Sequence, residues 1–552
     1  MKKVFNFIVM LLVSLQMCLA GNVKKISVTF NKNDFTLSMN SSGLLDIISN
    51  KHVASYGEET SEPGLPLIPV NVLIPEGNSF ASLTVSSNKS LIRENVTIAT
   101  NPRMMPTINF AQEATEGLPK YANKVYPISS GVYKCTSCMD GYTILNFLVS
   151  PFEYDASSKK LYLNESITLS INLENSNEKT TTLSMNGKNI SDIIKSLVIN
   201  GEEADARNIS TQNASTNSAR ENIEYLIITS RALSSYFQPI VQWKKMKGIS
   251  SKIIALEDIE ANYTGATTPH KIKSCLYDLY KNNGLKYVLL GGDDTIVPKA
   301  SCYVSAGGYT ENEMPTDLFF ACFGGNFDWD GNKNGIYGET TDGIDMSPSI
   351  YVTRIPIRTS TDVVAFSTKL LAYEKTPLKG GWGNNILMSG TQLWANYSST
   401  QSDAEAKGDN LYTNFIKPYW IGTRKKFYDT YTDFTGGADY TLNTANLQEQ
   451  FANGYNFFDI ATHGSPNLWA LESGRYYTSD AVSMKSNGFT IITTMACQTN
   501  QFDSPTYEPC LSEAFMRNAN NGVVAYLGCS RYGWGYSGGT SSLGPSLQYE
   551  AQ

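Results

Sequence analysis

The sequence predicts a chain of two kinds of structure. An all-β region runs from residue 21 to about 201, and an α/β region follows from 223, its sheet mostly parallel and covered by helices on both faces. Three observations predict this. The first stretch is rich in β-branched residues, short alternations and turn formers, with few helical periods. The later stretch alternates short apolar runs with helical ones. Between them, residues 202–222 hold mainly Asn, Ser, Thr and Ala with almost no large apolar side chain, the composition of an exposed linker.

In the first region, Lys25 to Phe30, Lys160 to Leu163 and Ser166 to Ile171 alternate as half-buried strands do. In the second, Tyr225 to Ile228 reads as a strand, Tyr236 to Lys247 as a helix and Lys252 to Ile254 as a strand. Thr268-Pro269 opens another helix, with a capping residue and proline in the first turn. Tyr287 to Leu290 is a strand running into Gly291-Gly292-Asp293-Asp294. Strands at 349–352 and 385–389 flank a helix at 361–374, and further strands are read at 455–461, 489–495 and 522–528. The chain ends at Gln552 without a recognisable closing element, so the sequence reads as truncated at its C-terminus.

At 552 residues the chain can build two or more cores. A composition of 41% hydrophobic and 17% charged residues is that of a soluble globular protein. Net charge is −7, with no basic cluster, which argues against nucleic acid as a partner. Residues 1–20 have the form of an export signal: Lys2-Lys3, an apolar run from Val4 to Leu15, and Cys18-Leu19-Ala20 before Gly21. No later run approaches the roughly 20 apolar residues that span a bilayer. A secreted or cell-surface bacterial protein is expected.

Nine cysteines show no dense disulfide framework. Cys135 and Cys138 have redox or half-zinc spacing without a second pair, which favours a local disulfide or plain packing, and Cys510 and Cys529 could pair. Two residues carry chemistry. His463 follows the strand ending at Ala461, and Cys497 follows the strand ending at Met495. Adjacent parallel strands deliver their C-terminal ends to one edge, where an imidazole can deprotonate a thiol for attack on a carbonyl carbon. Gly464, directly after His463, lets a backbone N–H come close to a substrate oxyanion. The chain has 3 histidines, and the others compete weakly: His270 reads as a surface residue and His52 lies in the β-rich region. Asp293 and Asp294 are neighbours on an extended chain and point opposite ways, so a turn is expected rather than a carboxylate pair.

Residues 328–339 alternate oxygen-bearing side chains on a glycine-rich loop: Asp328, Asp330, Asn332, Asn334 and Glu339. Two readings stand for it, a structural calcium ion or an ion-free loop closed by Asx turns. No cofactor is expected for catalysis.

With these residues in hand, the chain resembles the gingipain family of secreted bacterial cysteine peptidases over roughly residues 222–552. The matching pieces are Thr462 to Ser465, Ala496-Cys497 with Gln501 to Asp503, Pro509 to Ala514, Tyr526 to Ser530 and Tyr287 to Pro298. The β-rich stretch containing Gly64 to Pro69 is similar to the family's pro-domain. The resemblance implies a caspase-like α/β/α fold, a pro-domain that covers the site, and protein or peptide substrates. It implies Cys497 as nucleophile, His463 as base, and the N–H groups of Gly464 and Cys497 as the oxyanion site. An acid that orients the histidine in family members aligns near Ser389 to Gln392, which holds no carboxylate, leaving a backbone carbonyl to serve instead. Asp403 aligns with the pocket acid of arginine-specific members, and Trp534 falls in the substrate-binding stretch 531–537, which has no acid of its own. The expectation is a secreted zymogen cleaving after Arg, or less readily Lys, released at Arg220 in the linker. Alternatives are a type IX secretion sortase of the same family, acting with export and sorting machinery, and a non-catalytic surface adhesin on the same scaffold.

Overall fold

A computed structural model describes residues 22–107 (41, 53 and 58 aside), 119, 121–176, 187–204, 221–306, 308–375, 381–393, 402–428, 439–520 and 522–537. The export signal and Arg220 lie outside the described residues, as does most of the linker.

The N-terminal region contains β1 (Asn22–Thr29), β2 (Ile68–Ile74), β3 (Asn78–Arg93), β4 (Arg103–Pro106), β5 (Gly131–Met139), β6 (Tyr142–Val149) and β7 (Lys160–Asn175). Apart from β4, these strands pair antiparallel with one another: β7 lies between β1 and β3, and β6 between β2 and β5. Alternation drives the packing. Leu161, Leu163, Ile167, Leu169, Ile171 and Leu173 of β7 are buried in one apolar cluster, which Val70, Val72 and Ile74 of β2 also enter. One helix, α1 (Gly187–Leu197), follows, so the region is not purely β as expected. The fourth strand, β4, pairs instead with the far end of the chain.

The second region runs β8 (Tyr225–Thr229), α2 (Gln238–Met246), β9 (Ser251–Ala255), α3 (Thr268–Asn283), β10 (Tyr287–Gly291), the hairpin β11 (Ser301–Ala306) and β12 (Tyr309–Pro315), β13 (Tyr351–Ile355) and α4 (Ser360–Lys375). It continues β14 (Asn385–Gly390), α5 (Asp403–Leu411), β15 (Thr423–Tyr428), β16 (Tyr440–Thr441), α6 (Thr444–Asn453), β17 (Phe457–Ala461), β18 (Thr490–Thr494), α7 (Leu511–Arg517), β19 (Val523–Leu527) and β20 (Trp534–Ser537). Helix α3 illustrates the local logic. Ile272, Cys275, Leu276, Leu279 and Tyr280 recur on one buried face, Pro269 sits in the first turn, and Gly284 closes the helix at φ +77°. The cap is Thr267 rather than Thr268, whose hydroxyl donates to Glu260 instead.

One parallel sheet was expected; two are present. The first has the order β9–β8–β10–β13 and the second β16–β15–β14–β17–β18–β19, each parallel throughout. Alternation of strands and helices signals parallel pairing but not which strands share a sheet. A single core joins the two, with Ile227 and Leu289 from the first sheet, Val363 and Phe366 from α4, and Leu387, Phe458 and Ile492 from the second. Strand β17 is buried on both faces, whereas β18 (Thr-Ile-Ile-Thr-Thr) alternates buried and half-buried positions.

Candidate active site

Strands β17 and β18 are neighbours, with Ile460 opposite Thr494, so they end level. His463 lies two residues beyond the end of β17 and Cys497 three beyond the end of β18. Gly464 shows how closely the two loops approach. A Cβ there would lie 2.8 Å from the Ala496 Cβ, and 2.9 Å from both the Cys497 carbonyl oxygen and Thr499 Cγ2. Glycine is needed at this position because the histidine loop packs directly on the cysteine loop. Next to the cysteine, Gln498 holds a left-handed φ of +60°, an uncommon conformation for a non-glycine residue.

Among the described residues of the N-terminal region, Thr107 touches both groups. The hydroxyl of Thr107 lies 3.0 Å from Cys497 Sγ, and the Thr107 carbonyl is hydrogen-bonded to His463 Nδ1. The Thr107 N–H donates to the Gly533 carbonyl at 2.8 Å, and the Gly533 N–H donates to Cys497 Sγ at 3.2 Å. These contacts continue a ladder in which β4 lies antiparallel on β20, with Pro106 opposite Trp534. Thr107 and Cys497 are both fully buried. Burial raises the Cys497 thiol above its ordinary range, against the lowering pull of the Thr107 hydroxyl and the Gly533 N–H. Burial lowers His463, opposed by the carbonyls of Thr107 and Leu393. In this state the pair is thiol and neutral imidazole rather than thiolate and imidazolium.

Residues 218–550 match the model of Peptidase family C25. The chain belongs to peptidase family C25. Residues 9–209 match the family's propeptide model, Propeptide_C25. The C25 chain is 20% identical to gingipain R1 of Porphyromonas gingivalis over 481 residues, covering 84% of this chain and 42% of that one. It is 20% identical to gingipain R2 of the same organism over 525 residues, covering 91% and 63%. It thus spans less than two thirds of the length of these curated relatives. Solved structures that it resembles include the complex of the pro- and mature domains of a Porphyromonas gingivalis gingipain, at TM-score 0.41 and 19% identity over 56% of this chain and 64% of that one. The Arg-specific cysteine proteinase gingipain R gives the same TM-score and identity, over 56% and 63%.

Elsewhere in the C25 chain, Asp403 is the first residue of α5, close to the site through Leu393. Its Oδ1 accepts the N–H groups of Leu393 and Ala404, both at 2.8 Å, while the Leu393 carbonyl faces His463. A backbone carbonyl thus lies near the histidine, at Leu393 and not within Ser389 to Gln392. Trp534 lies on β20 against β4. Asp293 sits in a turn, accepting from the Thr295 N–H and hydroxyl and pairing with Arg358, which removes it from any carboxylate dyad. His270 is not a surface residue. It is buried against Phe319 and Tyr337, with Nδ1 2.7 Å from the Thr267 hydroxyl, because the loop at 328–339 folds over the start of α3. None of the described cysteines forms a disulfide, so neither Cys135 with Cys138 nor Cys510 with Cys529 is a bonded pair.

In loop 328–339, Asp330 accepts the N–H groups of Asn334 and Gly335. Asn332 Oδ1 and Asn334 Oδ1 accept backbone N–H groups, and both amides donate to Glu339. The Asp328 N–H donates to Asn326 Oδ1, as in an Asx turn. Among the described residues no group of three or more His, Cys, Asp or Glu side chains is placed to hold a metal ion. No helix among them is long and apolar enough to cross a membrane.

Sequence reasoning missed Thr107 and Gly533. Thr107 carries no motif, and its part depends on a pairing between residues far apart in the chain. The stretch around Gly533 offered one signal, a glycine flanked by aromatics (Tyr532-Gly533-Trp534), because a Cβ on Gly533 would fall 1.9 Å from the Met495 carbonyl oxygen.

Proposed function

We propose that the chain is a secreted cysteine endopeptidase made as a zymogen, with Cys497 as nucleophile and His463 as its base, on a caspase-like scaffold. The contact of Thr107 with both groups is the observation that carries this reading: one peptide residue lies against sulfur and imidazole at once. With substrate in that place, His463 takes the thiol proton, the sulfur attacks the carbonyl carbon, and the N–H groups of Gly464 and Cys497 receive the oxyanion. The imidazolium then protonates the departing amine, and water hydrolyses the thioester. The pro-segment inhibits by occupying the substrate's position, with its carbonyl on the imidazole and its hydroxyl on the sulfur. Export would follow from the signal at residues 1–20, and release of the pro-domain from cleavage at Arg220.

A basic residue before the scissile bond, Arg ahead of Lys, rests on Asp403. Profiling the processed protein on a mixed peptide library tests activity and pocket charge together. Asp403→Asn, which keeps the side chain's shape, is expected to lower kcat/KM for Arg substrates by about tenfold or more, the scale of losing one charged contact. An unchanged Arg preference in that variant would remove Asp403 from the pocket. No cleavage of any peptide, with no labelling of Cys497 by a thiol-reactive peptide, would favour the adhesin.

For loop 328–339 the proposal is a structural calcium ion held by Asp328, Asp330, Asn332, Asn334 and Glu339, which requires both asparagine amides to turn their oxygens inward. Millimolar calcium against a chelator is then expected to raise the melting midpoint by several degrees, since a ligand present at about 100 times its Kd stabilises the folded state by about 2.7 kcal/mol. Identical melting curves would leave the loop closed by its Asx turns alone.

A further inference from the structure

We infer that this chain carries an aromatic subsite for the second residue before the scissile bond, built from Trp534, Tyr532 and Tyr309, and that it selects proline or another compact apolar side chain there. The inference rests on the peptidase reading of Cys497 and His463. Its geometric basis is the register of β4 on β20. Thr107, whose hydroxyl lies 3.0 Å from Cys497 Sγ and whose N–H donates to Gly533, is the residue seated on the sulfur and takes the place of the residue before the cleaved bond. Pro106 is then the second residue, and it lies directly opposite Trp534. Opposed residues of an antiparallel pair share one face, so the pyrrolidine ring and the indole meet on the same side of the ribbon.

The indole does not stand alone. Tyr309 packs edge-on against Trp534, with centroids 5.8 Å apart and planes at 77°, and against Tyr532 at 5.6 Å and 71°. Such edge-to-face pairs are favourable aromatic geometry. Tyr309 comes from the β11–β12 hairpin, which belongs to neither parallel sheet. That hairpin is tied to the site loop. Arg531 donates from Nε to Glu311 at 3.3 Å and from Nη2 to the Glu313 carbonyl at 3.3 Å, and pairs with Asp503 at 2.8 and 2.9 Å. The Ser530 hydroxyl also meets Met314 Sδ at 3.5 Å. Tyr309 is 39% exposed with β4 in place. A rigid apolar ring gains area against such a platform without losing rotamer freedom, whereas a charged side chain there must shed water.

The test uses the processed protein and matched peptides that differ only at the second position. Proline is expected to exceed aspartate or lysine there by about tenfold or more in kcat/KM, the usual scale for an apolar pocket. Tyr309→Ala is expected to remove most of that preference, while Tyr309→Phe, which keeps the ring, retains it, and the rate at which a small thiol reagent labels Cys497 stays the same in both. A wild-type profile that is flat or favours charge at this position overturns the subsite, as does Tyr309→Ala with an unaltered profile and intact labelling. If no peptide is cleaved and Cys497 is not labelled, the peptidase reading itself falls, a failure separable from a wrong preference at this one position.

Discussion

Replacing Cys497 should abolish peptide hydrolysis, with kcat falling by on the order of 10⁴-fold or more, because the proposed covalent intermediate forms on its sulfur. Two variants are needed to separate chemistry from folding. Cys497 Sγ is buried and accepts the Gly533 N–H at 3.2 Å. Alanine leaves that buried donor unsatisfied, at a cost of about 1–3 kcal/mol. Serine keeps an acceptor at nearly the same place and should melt close to wild type, yet its hydroxyl lacks the acidity that lets a neutral imidazole activate a thiol. Both variants are expected to be inactive on the best library substrate, with serine the more stable in thermal melts. Activity above about 1% of wild type in the serine variant would move the nucleophile elsewhere.

How much of this was legible follows from which residues carry local signals. The runs at 455–461 and 489–495 are rich in apolar and β-branched residues, and that composition marked them as strands with His463 and Cys497 just beyond their ends. Helix α3 was legible from Thr268-Pro269 at its start, and α4 from the stretch 361–374 between two strands. Strand β15 was not read. Thr423-Arg424-Lys425-Lys426 looks like a solvated charge run, yet Arg424 and Lys426 are paired with Asp409, and Lys426 with the buried Glu405. Ion pairing from a helix across the sheet hides a strand from propensity rules. His270 failed for a related reason, since a residue near a helix start is buried when a distant loop covers it. The Thr107 contact depends on β4 pairing with β20, residues that no local pattern connects.

The same pairing gives the second large effect. Unprocessed protein should react with a thiol reagent roughly 100-fold more slowly than protein freed of its N-terminal region, a factor set by thiolate population and access. In the unprocessed state burial holds the Cys497 thiol up and the His463 imidazole down, so neither charged form is favoured near neutral pH. Removing the segment returns water to both groups. Burial is the largest cause of each shift, so its loss outweighs the loss of the Thr107 contacts, lowering the thiol and raising the imidazole. Labelling should therefore begin at lower pH after processing than before, and a pH series on both forms measures that displacement. Thr107→Val separates access from hydrogen bonding: it keeps the volume but removes the hydroxyl that lies 3.0 Å from Cys497 Sγ and 3.3 Å from the Gly533 carbonyl. With the ladder to β20 intact, this variant should label only severalfold faster than the unprocessed wild type, because most of the protection comes from the strand itself. Equal labelling before and after processing would mean that β4 does not guard the sulfur in solution, and the zymogen reading would fall with it.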